Sequence, residues 1–330
     1  MTAARTERGS GAPASERVRG SAGAEPPGPR TTRLAWAAWT AVCLIWGTTY
    51  LAIKVALDTV PPFLMGGFRY AAGGAILAGI LRMRGHTLPA RSEWKTLAVL
   101  GIFMLLLGNG GVVWGEQYVP SGLTAVLIAT SPFWMVSVDA MVRTGKQLHP
   151  RQWAGLVIGF LGILLLVWPD LVAPGARDPS TTAAGSRWGF FAGLVAVQIA
   201  CAGWAVGSSY TRLHVVPKDV LGSAALQMMF GGGYMLLTGT LLGEWHALSF
   251  TMRTGLALSY LCLAGSVVAF ACYSYALQHL DIAVVSLYTY INPIIAVALG
   301  TLLLGEPFSM RMVYAGAVIV VGILVVGKPR

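Results

Sequence analysis

Charge is scarce in this chain. Only 11% of its 330 residues are Asp, Glu, Lys or Arg, against 55% apolar, and the mean hydropathy is +0.67. A soluble domain carries about a quarter charged residues, so this composition excludes a water-soluble fold and points to a bilayer. Cysteine is sparse. Cys43, Cys201, Cys262 and Cys272 all fall in apolar stretches, with neither metal-ligand spacing nor the positions of a disulfide framework, and read as buried small hydrophobes. A phosphate-cradling Gly-x-x-x-x-Gly-Lys-Ser/Thr loop is missing, because Gly145-Lys146 lacks both the preceding glycine and the following hydroxyl. The five histidines show no metalloprotease spacing, and no Gly-x-Ser-x-Gly elbow occurs. Nothing here calls for a catalytic residue, a metal or a cofactor. The net charge of +10 has no basic stripe on a soluble surface to present to nucleic acid.

Apolar length is what the chain has. A bilayer core needs about 20 predominantly apolar residues per helix. Ten stretches qualify, near 34–56, 62–82, 96–116, 121–142, 152–169, 188–209, 220–242, 254–277, 282–304 and 312–327. Residues 1–33, rich in Gly, Ala, Ser, Pro and Arg without an apolar run, read as a disordered cytoplasmic tail, and they lack the apolar core of a signal peptide. The longest connection, 170–187, is rich in Pro, Gly, Ser and Thr and reads as a linker. Placing the N-terminus inside puts 17 Lys or Arg residues in cytoplasmic segments, including Arg82, Arg84, Arg91, Lys95, Arg143, Lys146, Arg151, Arg212 and Lys218. Four fall outside, Arg177, Arg187, Arg253 and Arg311. Cytoplasmic enrichment of basic residues orients membrane helices, so both termini are expected in the cytoplasm.

The pattern is written twice. A shift of 161 residues superposes Trp114 on Tyr275, Gln117 on Gln278, Pro132 on Pro293 and Gly155 on Gly316. Five spans per copy, at 34–169 and 188–327, is an odd number, so the second copy must enter the membrane in the opposite sense. The expected fold is an all-α integral membrane protein of ten helices in two inverted five-helix repeats. Inverted repeats are the architecture of secondary transporters, whose sites lie near the midplane where the repeats meet. At the repeat starts the register is open. Trp46 and Trp204 pair at an offset of 158, whereas Gly47-Thr48-Thr49-Tyr50 and Gly207-Ser208-Ser209-Tyr210 pair at 160.

Several strings carry a family resemblance: Ile45-Trp46-Gly47-Thr48-Thr49-Tyr50-Leu51-Ala52-Ile53-Lys54, Phe68-Arg69-Tyr70-Ala71-Ala72, Ser131-Pro132, Asn292-Pro293 and Leu304-Gly305-Glu306-Pro307. In this order, on ten spans, the chain resembles the drug/metabolite transporter superfamily, specifically bacterial EamA-type permeases with two EamA repeats. The resemblance covers essentially everything after the tail. It implies transport, commonly export, of small metabolites such as amino acids or of drugs across the bacterial plasma membrane. The glutamate of Gly305-Glu306-Pro307 has no counterpart in the first repeat, where the same offset lands on Gly145.

Candidate site residues follow from polarity at depth. Pro132 and Pro293 each remove a backbone hydrogen bond inside a span and are expected to act as hinges. Ser131 and Asn292 stand beside the loosened backbone, either lining a midplane substrate site or bonding neighbouring helices. Trp46, Tyr50 and Lys54 fall at i, i+4 and i+8, on one helix face, which suits a substrate with an apolar body and a carboxylate. Lys54 is equally placed to snorkel to headgroups. Arg69, about seven residues into span two, cannot shed its charge and suits an anionic group, a gate or a structural bond. Asn109, Trp204, Gln227 and Tyr288 complete the candidate substrate-binding set, with Trp114 and Tyr275 behind them. Asp139 is the only acid well inside a span, which offers little for proton coupling.

The expectation is a multi-pass permease that moves a small molecule by alternating access, with export of amino-acid-like metabolites as the first reading. Drug efflux and uptake are alternatives. An intramembrane lipid-modifying enzyme would need a cluster of mid-membrane acids, histidines or a nucleophile with its base. A receptor or scaffold suits paired broken spans less well. Energetic coupling is open between a proton and a counter-substrate, as is the oligomeric state.

Overall fold

The computed structural model describes residues 29–142, 150–172, 187–213, 219–280, 285, 287–306 and 308–327. The tail up to residue 28, most of the linker, Arg143, Lys146, Lys218, Pro307 and the side chain of Asp139 lie outside the described residues. The described regular structure is helical. Its elements are α1 (Pro29–Ala56), α2 (Pro62–Met83), α3 (Trp94–Leu100), α4 (Gly110–Gly115), α5 (Ser121–Ile128), α6 (Ser131–Val142) and α7 (Pro150–Val172), then α8 (Arg187–Leu213), α9 (Val220–Leu241), α10 (Met252–Cys262), α11 (Ala269–His279), α12 (Tyr288–Leu304) and α13 (Met310–Gly327). Among the described residues, seven helical stretches are long and apolar enough to cross a membrane. Three shorter apolar helices, Pro150–Leu165, Tyr288–Leu304 and Met310–Gly322, accompany them.

Two expected helices are not regular. Between α3 and α4 the backbone is π-helical over Gly101–Asn109, and between α10 and α11 it is π-helical over Leu263–Val268. Shifting the second segment back by 161 residues lands inside the first, so the two repeats widen at the same place. Such bulges occur frequently at functional sites. The span around Pro132 is broken, with α5 ending at Ile128 and α6 starting at Ser131. By contrast α12 runs through Pro293 without a break, with the proline in the second turn of the described helix. The two prolines occupy matched positions but do different things.

Close glycine contacts fix how the repeats face each other. Along α2 and α9, a Cβ on Gly66 would meet Met235, one on Gly74 would meet Ala225 and Met229, and one on Gly239 would meet Leu64. One index falls as the other rises, so these helices run antiparallel. At the centre a Cβ on Gly232 would stand 2.9 Å from Ala71 Cα, and Ala71 is its own counterpart 161 residues earlier. A two-fold relation between the repeats therefore passes between α2 and α9. The pair α7 and α13 repeats the arrangement, with Gly162 against Ile319 and Gly322 against Gly159. Small residues allow the backbone approach that helix association in lipid depends on.

The remaining helices are exchanged. The α1 helix packs on α11 and α12 of the other repeat, and α8 packs on the first π segment, α4 and α6. Each repeat's first helix is thus held by the other repeat's third and fourth spans. Large apolar side chains point outward, among them Trp153 and Phe160 on α7, Leu302 on α12 and Leu324 on α13, as a lipid-facing surface requires.

Candidate functional site

Trp46 sits at the heart of one exchanged contact. Its Nε1 donates to the Gly265 carbonyl of the second π segment at 3.1 Å. Its ring meets Tyr288 at 4.9 Å, Tyr273 at 5.2 Å and Phe270 at 5.6 Å between centroids. Tyr273 and Tyr288 also contact each other edge to face at 5.9 Å. The result is an aromatic cluster drawn from α1, α11 and α12. Arg69 approaches the same π segment from α2. It is 4% exposed, its Nε donates to Ser266 Oγ at 3.1 Å, and its guanidinium covers the Tyr70 ring at 4.8 Å. A Cβ on Gly265 would stand 3.2 Å from an Arg69 terminal nitrogen.

The symmetry-related contact is built from α8. A Cβ on Gly108 of the first π segment would meet the Trp204 ring at 3.5 Å. Asn109 Nδ2 donates to the Met104 carbonyl at 3.1 Å, and Gln227 Nε2 lies 3.5 Å from Met104 Sδ. Trp46 and Trp204 therefore both rest on a π segment of the opposite repeat, which favours their pairing at an offset of 158. Around the break in span four, Ser131 Oγ donates to Ile128 O at 2.6 Å, the carbonyl that Pro132 leaves without an N–H. It also lies 3.4 Å from Cys201 Sγ. Gln198 Oε1 accepts from Trp134 Nε1 at 3.0 Å and Thr130 Oγ1 at 3.3 Å. Asn292, with its amide turned to satisfy both contacts, donates to Tyr288 O at 3.0 Å and Cys43 O at 3.2 Å. Ser131 thus serves the carbonyl that its neighbouring proline frees, whereas Asn292 serves the Tyr288 carbonyl and, across the exchanged contact, the Cys43 carbonyl of α1.

Acidic and basic groups gather at the opposite end of α1, the end that the charge bias assigns to the outside. Lys54 Nζ donates to the Glu116 carbonyl and to Val119 O at 3.4 Å. These carbonyls lie at the C-cap of α4 and in the turn just beyond it, where a cation complements the helix dipole. Glu306 does the converse on the next helix. Its carboxylate accepts the Ser121 N–H at 2.8 Å, the Ser121 hydroxyl at 2.9 Å and the Gly122 N–H at 3.2 Å. The N-cap of α5 is Pro120, whose side chain offers no acceptor. A glutamate from the other repeat supplies the missing cap.

Glu244 repeats the device on α2. It accepts from Leu64 N at 2.9 Å and Phe63 N at 3.3 Å, at a helix start whose N-cap is Pro61. Burial pushes its carboxyl above the ordinary value, and the two N–H bonds oppose that shift. Both glutamates follow a glycine in the left-handed region, Gly243 at φ 74° and Gly305 at φ 65°. Gly239 and Gly300 lie one turn earlier and leave room for the carboxylates. The sequence signal is the recurring string Gly239-Thr240-Leu241-Leu242-Gly243-Glu244 and Gly300-Thr301-Leu302-Leu303-Leu304-Gly305-Glu306.

The structure thus brings Trp46 and Tyr288 together, sets Arg69 beside the same π segment, and groups Trp204, Asn109 and Gln227 on the other. Tyr50 lies within electrostatic reach of Glu116, Tyr288 and Cys201. Tyr273, Phe270, Gln198, Glu116 and Glu244 were not singled out by the sequence.

The comparisons agree with this architecture. The EamA-like transporter family matches residues 34–168 and 191–328. The uncharacterized inner membrane transporter YedA of Escherichia coli is 32% identical over 287 residues, covering 87% of this chain and 88% of that protein. PagO of Salmonella typhimurium is 27% identical over 288 residues, 86% of this chain and 89% of that protein. The uncharacterized transporter YoaV of Bacillus subtilis is 24% identical over 283 residues, 86% and 92% of the two chains. One solved crystal structure shares the fold at 21% identity, with a TM-score of 0.56 over 90% of this chain and 96% of that one. With both repeats matched, this multi-pass membrane protein belongs to the EamA-like transporter family.

Proposed function

We propose that the protein is a ten-span secondary transporter of the bacterial plasma membrane, with both termini in the cytoplasm, that exports small amino-acid-like metabolites by alternating access. The observation that carries this reading is the reciprocal exchange of first helices. Because α1 is held by α11 and α12 while α8 is held by the first π segment, α4 and α6, the two halves can rock about the α2–α9 axis and open opposite ends in turn. The matched π segments give each half a place to bend.

The substrate site in this reading lies between the Trp46–Tyr273–Tyr288 cluster and the Ser131, Cys201 and Gln198 side of the bundle. The aromatic cluster holds the apolar body, and Arg69 provides the positive charge for a carboxylate. Lys54 contributes less to anion binding than its position on α1 suggests, since it is engaged with the Glu116 and Val119 carbonyls. Glu116 and Glu306 also share its surroundings.

Purified protein in proteoliposomes, loaded with single solutes from a panel of amino acids, tests the reading by counterflow of labelled solute. Accelerated exchange for a subset supports it, and no flux for any solute across a broad panel sinks it. Sidedness, set by protease access to the tail, separates export from uptake. Arg69→Gln should reduce exchange of anionic solutes more than neutral ones, and equal losses on both would remove the carboxylate argument.

A further inference from the structure

Glu116 is the acid whose position the rest of the bundle does not explain. It is 0% exposed, and neither carboxylate oxygen has a hydrogen-bond partner among the described residues. It follows directly on α4, in the turn Glu116-Gln117-Tyr118-Val119-Pro120 that joins the third span to α5. This turn is clamped from both sides. Lys54 holds its carbonyls, and Glu306 holds the N–H groups of Ser121 and Gly122. Lys54 is therefore spent on the backbone of Glu116 rather than on its side chain.

The charged and titratable groups that act on this carboxyl come from three directions. They are Lys54 and Tyr50 of α1, Arg69 of α2 and Glu306 beyond α12. From α8 the neighbours of Gly115 are Gly193 and Val197, which carry no charge. A buried ionised carboxylate without donors is far costlier than its neutral acid. A glutamate kept for structure alone would be given donors, as Glu306 and Glu244 are.

We propose that Glu116 is a proton-binding site that couples this transporter to the proton gradient, an inference that rests on the transport reading above. With the turn clamped, the Glu116 carboxyl is neutral and carries the proton. When the turn lifts off Glu306 and Lys54, water reaches the side chain and the O–H bond breaks, giving a hydronium ion and a carboxylate. Lys54, freed from the carbonyls, then balances that carboxylate. No electrons move and no other group is consumed. Tyr50, within electrostatic reach of both Glu116 and Tyr288, links the charge state of this site to the aromatic cluster.

The test uses the full chain in lipid nanodiscs and infrared difference spectroscopy across a pH titration, which needs no substrate. The wild type is expected to show the carbonyl-stretch band of a protonated carboxylic acid that disappears on alkalinisation. Glu116→Gln should lose that band, Glu116→Asp should retain a shifted one, and Asp58→Asn, at the exposed surface, should leave it unchanged. A Glu116→Gln spectrum identical to wild type overturns the proposal, as does a wild-type band that never titrates. If Glu116→Gln fails to fold, the aspartate variant decides by the presence or absence of the shift. A second arm uses proteoliposomes filled with a pH-sensitive dye and driven by a mixture of amino acids. Proton movement with the solutes is expected in wild type and lost in Glu116→Gln, and solute flux without it overturns the coupling. Absence of any solute flux would strike the transport reading alone, because the infrared band reports the proton site separately.

Discussion

The Glu306 carboxylate receives the backbone N–H of Ser121 at 2.8 Å, so the last residues of one repeat's fourth span cap the helix that opens the other repeat's fourth span. The counterpart relation of Glu244 to Leu64 at 2.9 Å makes this a pair of clasps at one end of the bundle. Each joins the second repeat to the first at a helix start that proline leaves without a side-chain acceptor. In the alternating-access reading proposed above, the Glu244 clasp stays with the α2–α9 axis and the Glu306 clasp is the one that opening this end releases.

Removing one clasp should bias the bundle toward the open arrangement. Loss of a helix N-cap costs about 0.5–2 kcal/mol, which shifts a two-state equilibrium roughly twofold to thirtyfold. With Val119→Cys in a background lacking the four native cysteines, Glu306→Ala should speed labelling by an impermeant maleimide by a factor in that range. Val119 is fully buried in the closed arrangement, so unchanged labelling would mean that the clasp does not gate this end.

The same end can be opened without touching a charge. A Cβ on Gly300 would stand 2.9 Å from Ser121 Oγ and closer still to the Glu306 carboxylate. Gly300→Ala should therefore raise Val119→Cys labelling as Glu306→Ala does, and combining the two should add little, as expected of substitutions that break one contact. Gly316→Ala, whose Cβ would meet nothing within 4 Å, should be silent. A fully additive double variant would show that Gly300 acts elsewhere.

Helix placement was legible because lipid leaves few options. Apolar length alone sets α2 and α9 almost to the residue, at Pro62–Met83 and Val220–Leu241. The repeat was legible too, through Pro132 and Pro293, but their local roles were not. Ser131 satisfies Ile128 O where the helix breaks, whereas Asn292 ties an unbroken helix to α1, and which occurs depends on neighbours that are distant in sequence. The π segments leave no mark that composition can read. Glu116 was not singled out because burial at a span end depends on what folds over it. Glu244 could have been found, since the Gly-Thr-Leu-Leu-Gly-Glu string is nearly repeated at Glu306, although not at the repeat offset.

Glu244 also makes the fold sensitive to pH in a definite direction. Its carboxyl is raised above the ordinary value of 4.5, chiefly by burial. A raised value means that the folded protein binds more protons than the unfolded chain between the ordinary and the raised value. The contribution to stability is therefore fully present below the ordinary value and lost as pH rises through the raised one. Compared with Glu244→Gln, which cannot titrate, the wild type should gain thermal stability in detergent as pH falls through that window. A constant difference between the two proteins across the window would contradict the assignment.

Trp46 allows the aromatic cluster to be separated from its hydrogen bond. Trp46→Phe keeps a ring against Tyr273 and Tyr288 but leaves the Gly265 carbonyl without its donor, a loss of about 1–3 kcal/mol for a buried acceptor. Trp46→Ala removes the ring as well, and such truncations cost about 3–5 kcal/mol in packed interiors. If the cluster holds the apolar body of the substrate, Phe should lower the thermal midpoint while retaining counterflow, and Ala should abolish counterflow of aromatic and branched amino acids before that of glycine or alanine. The readout is the ratio of exchange rates for large and small solutes at matched amounts of folded protein. A ratio that stays constant across wild type, Phe and Ala would place the substrate elsewhere in the bundle and leave Trp46 as a packing residue that braces the second π segment.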